Sequence, residues 1–369
     1  MNQVIKKLAE MDNKVNFTVK DVVGVAVELG VSKHTAAAHV RRFPKVSRGV
    51  YNLEAALVPF RSAKSTVQNI GVSSVSNDEV YVPEIDDTFV AWGNSTDISK
   101  IIKSGEFYPT FVTGLSGNGK TFMIEQACAK AGREYVRVQI SPETDEDDLI
   151  GGFRLLNGET VFQKGPVIKA MEAGAILLID EIDRGTNKIM ALQGVLEGKP
   201  ILIKKTGEVV KPAKGFNAIA TANTKGKGSD DGRFTAATIL DEAFLERFTI
   251  TIEQKYPTPK TEKKILMNHM EKFNSVDDEF ADLLIGWADT IRKTYEDEGI
   301  DEVISTRRLC HIVQTFGIFG KRDKAVQLCI NRFDDDTRDA FLDLYTKVDA
   351  TVKSVGEYPN DTGTTDYGY

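Results

Sequence analysis

The stretch T-F-V-T-G-L-S-G-N-G-K-T, residues 110–121, decides the fold. Its first four residues read as a buried strand, and the residues after Lys120 read as the opening of a helix. A glycine-rich turn between such elements lets consecutive backbone N–H groups converge on an anion, and the helix N-terminus adds its partial positive charge. At this spacing the Lys120 ammonium reaches the β- and γ-phosphates of a nucleoside triphosphate, and the Thr121 hydroxyl is placed to ligate Mg²⁺. The candidate nucleotide contacts are Gly114, Leu115, Ser116, Gly117, Asn118, Gly119, Lys120, Thr121 and Phe122. A Gly-rich turn that matches by accident is the plain alternative, and the strand-then-helix context weighs against it.

Working outward, A-I-L-L-I-D-E-I-D places Asp180 and Glu181 at the end of a wholly apolar strand. Ligands of open α/β sheets bind at the carboxyl ends of strands, where these side chains would stand. Asp180 is the candidate to hold Mg²⁺, directly or through water, and Glu181 the candidate general base. A strand-end acidic cap is the bland reading, with Asp183 and Arg184 free to make local surface pairs. A third strand ends T-A-N-T and brings Asn223 to the same rim, where an amide can orient a water as donor and acceptor at once. Arg247, in L-D-E-A-F-L-E-R-F, closes a helix that leads into another strand, and Arg307, in S-T-R-R-L, opens a later helix. A guanidinium aimed at a developing γ-phosphate charge is worth roughly 10³–10⁵ in rate. Arg307 is read as reaching its own chain's nucleotide and Arg247 as pointing toward a neighbour's site. Surface pairing of Arg247 with Glu242 or Glu246 is the alternative, and Arg308 competes with Arg307.

Strands alternate with helices from about Glu79 to Tyr256, the pattern of a parallel sheet covered on both faces. Two hairpins interrupt it, one turning at Asn157-Gly158, a strong turn signal, and one near Thr206-Gly207. After Pro257 and Pro259 the pattern is helical to about Val348. Residues 1–60 read as a small separate unit of two helices (Val19 to Leu29, Ser32 to Phe43) and two short strands turning at Arg48-Gly49, the outline of a winged helix-turn-helix. The expected division is therefore 1–60 winged-helix-like, 61–78 linker, 79–256 α/β core, 257–350 helical lid and 351–369 disordered tail.

The 369 residues carry a net charge of −7, with 41% hydrophobic and 27% charged residues. That balance suits a globular chain of several domains and gives no bulk-charge argument for nucleic acid. The three cysteines, Cys128, Cys310 and Cys329, are widely spaced and read as buried free thiols of a reducing compartment. There is no apolar run of about 18 residues and no signal pattern at the N-terminus, so the expectation is a cytoplasmic protein without membrane contact.

These motifs, in this order, resemble the AAA+ superfamily. Within it the chain looks like the MoxR group, and especially the ATPase subunit of cobaltochelatase (CobS) and its viral relatives. The carrying residues are F-Y-P-T-F-V-T-G-L-S-G-N-G-K-T, D-L-I-G-G-F at 148–153, G-P-V-I-K-A-M-E-A-G-A-I-L-L-I-D-E-I-D, A-T-A-N-T and A-F-L-E-R-F. The resemblance covers roughly residues 80–320 and implies a P-loop AAA+ α/β module with hairpin inserts and a helical lid. It also implies ATP and Mg²⁺ as cofactors, a homo-oligomeric, hexameric ring with ATP at the subunit interfaces, and Arg247 completing the adjacent site. Relatives usually act beside a von Willebrand A-domain protein, and no D-x-S-x-S motif occurs in this chain. The family's D-R-F reads E-R-F here, and its S-P-R reads S-T-R.

The N-terminal unit lies outside the resemblance. It carries Lys33, Arg41, Arg42, Lys45 and Arg48 with no acid between Val31 and Val50. A solvated basic face and a DNA contact through residues 31–50 both fit that pattern. The acidic run Glu143 to Asp148 reads as a solvated turn. Lys204, Lys205, Lys211 and Lys214 around the second hairpin suit either a pore lining for an acidic polymer or an exposed hairpin. The function expected is an ATP-driven remodelling motor, with a DNA translocase or loader as the alternative and the ATPase subunit of a metal chelatase as a third reading.

Overall fold

The computed structural model describes residues 4, 16–29, 32–41, 45–47, 50–53, 80–228 and 237–349. The expected linker, the tail and the Arg48-Gly49 turn lie outside them. The chain divides into two compact units, 1–75 and 76–369.

In the first unit, β1 (Asn16–Thr18) runs into α1 (Val19–Glu28), followed by α2 (Lys33–Val40), β2 (Lys45–Ser47) and β3 (Val50–Asn52). Thr18 and Asp21 form a reciprocal capping box at the start of α1, satisfying two backbone donors that the helix leaves open. The strands pair antiparallel in the order β1-β3-β2. Phe17, Val22, Val25, Ala26, Ala36, Val40 and Leu53 close a small core.

The second unit opens with α3 (Ser95–Ser104), β4 (Thr110–Thr113), α4 (Lys120–Ala131), β5 (Tyr135–Gln139) and α5 (Glu146–Leu149). The hairpin β6 (Gly151–Leu156)/β7 (Glu159–Lys164) follows, then α6 (Pro166–Ala173) and β8 (Ile176–Asp180). After α7 (Gln193–Leu196) comes the hairpin β9 (Ile201–Ile203)/β10 (Glu208–Val210), then β11 (Asn217–Ala222), α8 (Glu242–Leu245) and β12 (Ile250–Glu253). Five strands make one parallel sheet in the order β12-β4-β11-β8-β5. Because β5 lies at the far edge from β4, the crossover through α4 spans the sheet, and the strand order reverses beside β4. A crevice at such a switch point is where open α/β sheets bind ligands.

The strands are apolar throughout because both faces are covered. Ile176 and Leu178 of β8 pack toward Ile98, Ile102, Met123 and Ile124, whereas Leu177 and Ile179 pack toward Val167, Ile168 and Met171. The first hairpin turns at Asn157 and Gly158, both at positive φ, as expected. The acidic run departs from expectation. Asp145 caps α5 through the amides of Asp147 and Asp148, so the run opens a helix rather than a free turn. Lys204 pairs with Glu146 at 3.1 Å and Lys205 with Asp147, which ties the second hairpin to that helix.

The C-terminal region is helical: α9 (Pro259–Lys272), α10 (Asp278–Glu296), α11 (Thr306–Phe319), α12 (Arg322–Ile330) and α13 (Asp335–Val348). Their apolar faces meet around Trp287, whose indole N–H donates to the Phe341 carbonyl at 3.0 Å. All three cysteines are free thiols, and burial pushes Cys128 and Cys310 up to about 12. No helix among the described residues is long and apolar enough to cross a membrane.

Candidate nucleotide site

The phosphate loop is held from below by the end of β12. Gly114 has φ 143°, and a Cβ there would stand 2.1 Å from the Gln254 carbonyl oxygen, so only glycine fits. The Asn118 amide donates to that same carbonyl at 2.5 Å. The loop then delivers α4, whose first turn has no side-chain cap, leaving its N–H groups available to an anion.

Lys120 is buried, and its ammonium donates to the carbonyls of Gly114 (2.6 Å) and Leu115 (3.1 Å) and to Asn223 Oδ1 (3.3 Å). Burial pulls its pKa down to about 8, against the opposing pull of Asp180 and Asp183. Thr121 donates its hydroxyl proton to Asp180 Oδ1 at 2.9 Å, turning its lone pairs toward the cavity. The Thr221 hydroxyl donates to the same oxygen, and Arg137 donates through Nε (3.0 Å) and Nη2 (2.5 Å) to Asp180 Oδ2.

Glu181 adopts a left-handed conformation, φ 56° and ψ 43°, uncommon for a residue with a Cβ and a strain of about 1–3 kcal/mol. Its amide donates to Thr221 Oγ1 at 3.2 Å. Its carboxylate accepts from Gln139 Nε2 at 3.1 Å and lies 3.3 Å from Arg184 Nε. Arg184 thus makes the local pair anticipated for it, but Asp183 does not. Asp183 is buried, and its Oδ2 accepts from the amides of Asn223 (2.9 Å) and Thr224 (3.0 Å) and from the Thr224 hydroxyl (3.0 Å). It fixes the end of β11, and with it the Asn223 side chain.

From the other side, the lid helix α11 meets the loop. The Arg307 amide donates to the Gly117 carbonyl at 3.2 Å, and the Arg307 side chain lines the cavity. Arg308 does not line it. The cavity holds about 690 Å³, within the usual range for small-molecule sites of roughly 300–1,000 Å³. Residues 116–122, Asp180, Glu181, Asn223 and Arg307 all line it. Away from the phosphate loop, Phe89, Val90, Ile265 and Phe273 line it alongside the polar Asp86, Glu125 and Lys272, and His269 and His311 join them. Burial holds both imidazoles below their ordinary pKa.

Arg247 stands apart. It does not line the cavity, and it donates through Nε to Glu197 at 2.9 Å and through Nη1 to the Ala243 carbonyl. Glu197 therefore takes the place expected for Glu242 or Glu246. Arg137, Gln139 and Thr221 are site residues that the motif reading did not single out. The oxygen donors at Thr121 and Asp180 are of the hard type that suits Mg²⁺.

Residues 109–248 match the AAA domain (dynein-related subfamily), and residues 262–348 match the CbbQ/NirQ/NorQ C-terminal domain. The aerobic cobaltochelatase subunit CobS of Sinorhizobium sp. is 25% identical over 284 residues, 75% of this chain and 85% of that protein. NorQ of Paracoccus denitrificans is 30% identical over 160 residues, 43% of this chain and 56% of that one. Midasin of Giardia intestinalis is 30% identical over 177 residues, 47% of this chain and only 4% of midasin. The chain thus spans most of CobS, about half of NorQ and a small part of midasin. With both domains present in this order around one phosphate-loop cavity, the chain is an AAA+ ATPase of the MoxR type that resembles CobS.

Proposed function

We propose that the chain works as a subunit of a homo-oligomeric, hexameric ring that hydrolyses Mg²⁺–ATP at subunit interfaces to remodel a partner macromolecule, beside a separate von Willebrand A-domain protein. In this reading the ATPase core covers 79–256 and the lid 257–350. The supporting observation is the convergence of Lys120, Thr121, Asp180, Glu181, Asn223 and Arg307 on one cavity, with Arg247 outside it.

Lys120 and the loop amides would bind the triphosphate, and Thr121 would hold the metal ion with Asp180 supporting it, directly or through water; the ion would supply charge neutralisation to the phosphates. Glu181 takes a proton from the attacking water, and the Asn223 amide orients that water. Arg307 meets the phosphates from the chain's own lid, and Arg247, released from Glu197, serves the adjacent subunit.

The test mixes two inactive variants. Glu181→Gln should bind ATP and assemble but hydrolyse it roughly 10²–10⁴-fold more slowly. Arg247→Ala should bind nucleotide and lose turnover, and Lys120→Ala should lose binding. Since the first two variants damage opposite halves of an interface, their mixture should regain part of the activity. Mixed rings that co-assemble yet stay inactive would refute the trans role of Arg247.

A second reading, a DNA translocase or loader using a winged-helix N-terminal unit, is favoured by the exposure of Lys33, Arg41 and Lys45. DNA-stimulated ATPase that is lost in Arg41→Glu/Arg42→Glu would support it. DNA-indifferent ATPase with a co-purifying von Willebrand A protein would support the first. A role as the ATPase subunit of a metal chelatase rests on the likeness to CobS alone.

A further inference from the structure

Arg137 lines the nucleotide cavity but has no role in the chemistry above. It projects from β5, the edge strand beside β8, whose register pairs Gln139 with Asp180. Both of its bonds to the carboxylate fall on Oδ2, at 3.0 and 2.5 Å, while Oδ1 takes the hydroxyls of Thr121 and Thr221. An ionised carboxylate offers about four lone-pair sites. Four donors reach Asp180, so none is left for a cation to take without displacing a partner.

Charge leads to the same conclusion. Asp180 is 4% exposed, and the Arg137 guanidinium beside it makes the pair neutral overall. Without that guanidinium, Asp180 would lose the cation bonded to it, and Asp180, Glu181 and Asp183 would outnumber Lys120 and Arg184 at the end of β8, leaving a net negative rim that favours a divalent cation. With it, a cation gains little until a triphosphate adds its own negative oxygens.

We propose that Arg137 is a positioning residue that neutralises Asp180 in the empty site, so that a divalent cation enters only together with nucleotide. Asp180 then acts on the metal through the Thr121 hydroxyl that it orients rather than as a direct ligand. The proposal rests on the cavity being the nucleotide site. A guanidinium that merely braced two strands would change stability when removed and leave metal binding as it was.

The experiment uses the full chain with Mn²⁺ as the probe, its binding read by electron paramagnetic resonance with and without ADP. Wild type should take up Mn²⁺ with ADP and show no site for free Mn²⁺. Arg137→Gln should gain free Mn²⁺ binding by about tenfold or more, since a full charge within a few ångströms has been removed. Arg137→Lys, which keeps the charge, should return to wild-type behaviour. A Gln variant that binds Mn²⁺–ADP but gains nothing for free Mn²⁺ overturns the proposal. Should the Gln variant fail to fold, wild type still decides: free Mn²⁺ captured by it and lost in Asp180→Asn also overturns the proposal. A wild type with no affinity for Mn²⁺–ADP removes the nucleotide reading beneath it, and the proposal with it.

Discussion

The amide of Arg307 donates to the carbonyl of Gly117 at 3.2 Å, so the first turn of the lid helix rests directly on the phosphate loop. The contact is reinforced nearby, where the Tyr256 hydroxyl donates to the Ser116 carbonyl at 2.9 Å. The loop's carbonyls are therefore held by the lid backbone at Arg307 and by the Tyr256 side chain just before the lid, and a change in one is felt in the other.

Gly117 is the point where that boundary is tightest. Its φ is 73°, and a Cβ would stand 2.5 Å from Ser305 Oγ and 2.7 Å from Ser305 Cβ. Gly117→Ala meets both a left-handed backbone cost of about 1–2 kcal/mol and a clash with the N-cap of α11. Expected is a folded protein, by circular dichroism, whose affinity for a fluorescent ADP falls at least about tenfold, each tenfold being about 1.4 kcal/mol. Unchanged affinity would mean that the lid does not sit on the loop in the binding-competent state.

With Lys120 in the proposed phosphate-binding role, nucleotide binding should be sensitive to pH. Its pKa is drawn down to about 8 from an ordinary 10.5 by burial. Between those values the folded state sheds a proton that the unfolded chain keeps, so the empty protein gains stability as pH rises through that window. A bound triphosphate favours the ammonium and raises its pKa again. Binding should therefore take up a proton at pH 8.5 to 9, and affinity should fall as pH climbs past about 8. Calorimetry in two buffers of different ionisation enthalpy measures the uptake directly.

The residues legible in the sequence are those whose chemistry depends on local spacing. The loop at Gly114 to Thr121, the apolar strand ending at Asp180 and the Asn157-Gly158 turn all carry their signal within a few residues. Arg137 and Gln139 were missed because β5, Y-V-R-V-Q, interleaves polar residues with apolar ones and has no motif of its own. Their place at the cavity comes from strand register, which sets Gln139 beside Asp180 although 40 residues of chain lie between them. Asp183 was misjudged for a similar reason. As part of D-E-I-D it looks like another surface acid, and only the arrival of β11 buries it. The choice between Arg307 and Arg308 likewise depends on helical phase: with Ser305 capping the helix, Arg307 lines the cavity and Arg308 does not.

A buried ion pair holds the lid's base. Arg292 donates through both terminal nitrogens to Glu262 at 2.8 Å each, and through Nε to the Ile304 carbonyl at 2.8 Å. The Thr306 hydroxyl adds a bond to Glu262 at 2.6 Å, and the guanidinium lies 4.2 Å from the Tyr256 ring centroid. Removing one partner strands the other charge, at a cost of about 3–5 kcal/mol. Arg292→Ala should lower the denaturant midpoint and, by loosening Tyr256 from Ser116, weaken nucleotide binding as well. Arg338→Ala, which removes an exposed lid pair, should do neither and serves as the control.

The two adjacent lid arginines should separate cleanly in kinetics. Arg307 faces the cavity, whereas Arg308 lies outside it, with burial and the nearby Arg332 holding its guanidinium below its ordinary pKa. A guanidinium that meets the developing γ-phosphate charge contributes roughly 10³–10⁵ in rate. Arg307→Ala should therefore cost ATP turnover on the order of 10³-fold with ADP binding little changed, because the lost interaction strengthens in the transition state. Arg308→Ala should alter thermal stability and leave turnover within about threefold, the scatter expected of a residue that touches no substrate. Steady-state ATPase assays on both variants, paired with fluorescent ADP titrations, make the comparison. Equal losses in the two would place the lid helix in a different rotational phase during hydrolysis from the one that seats Arg307 on Gly117.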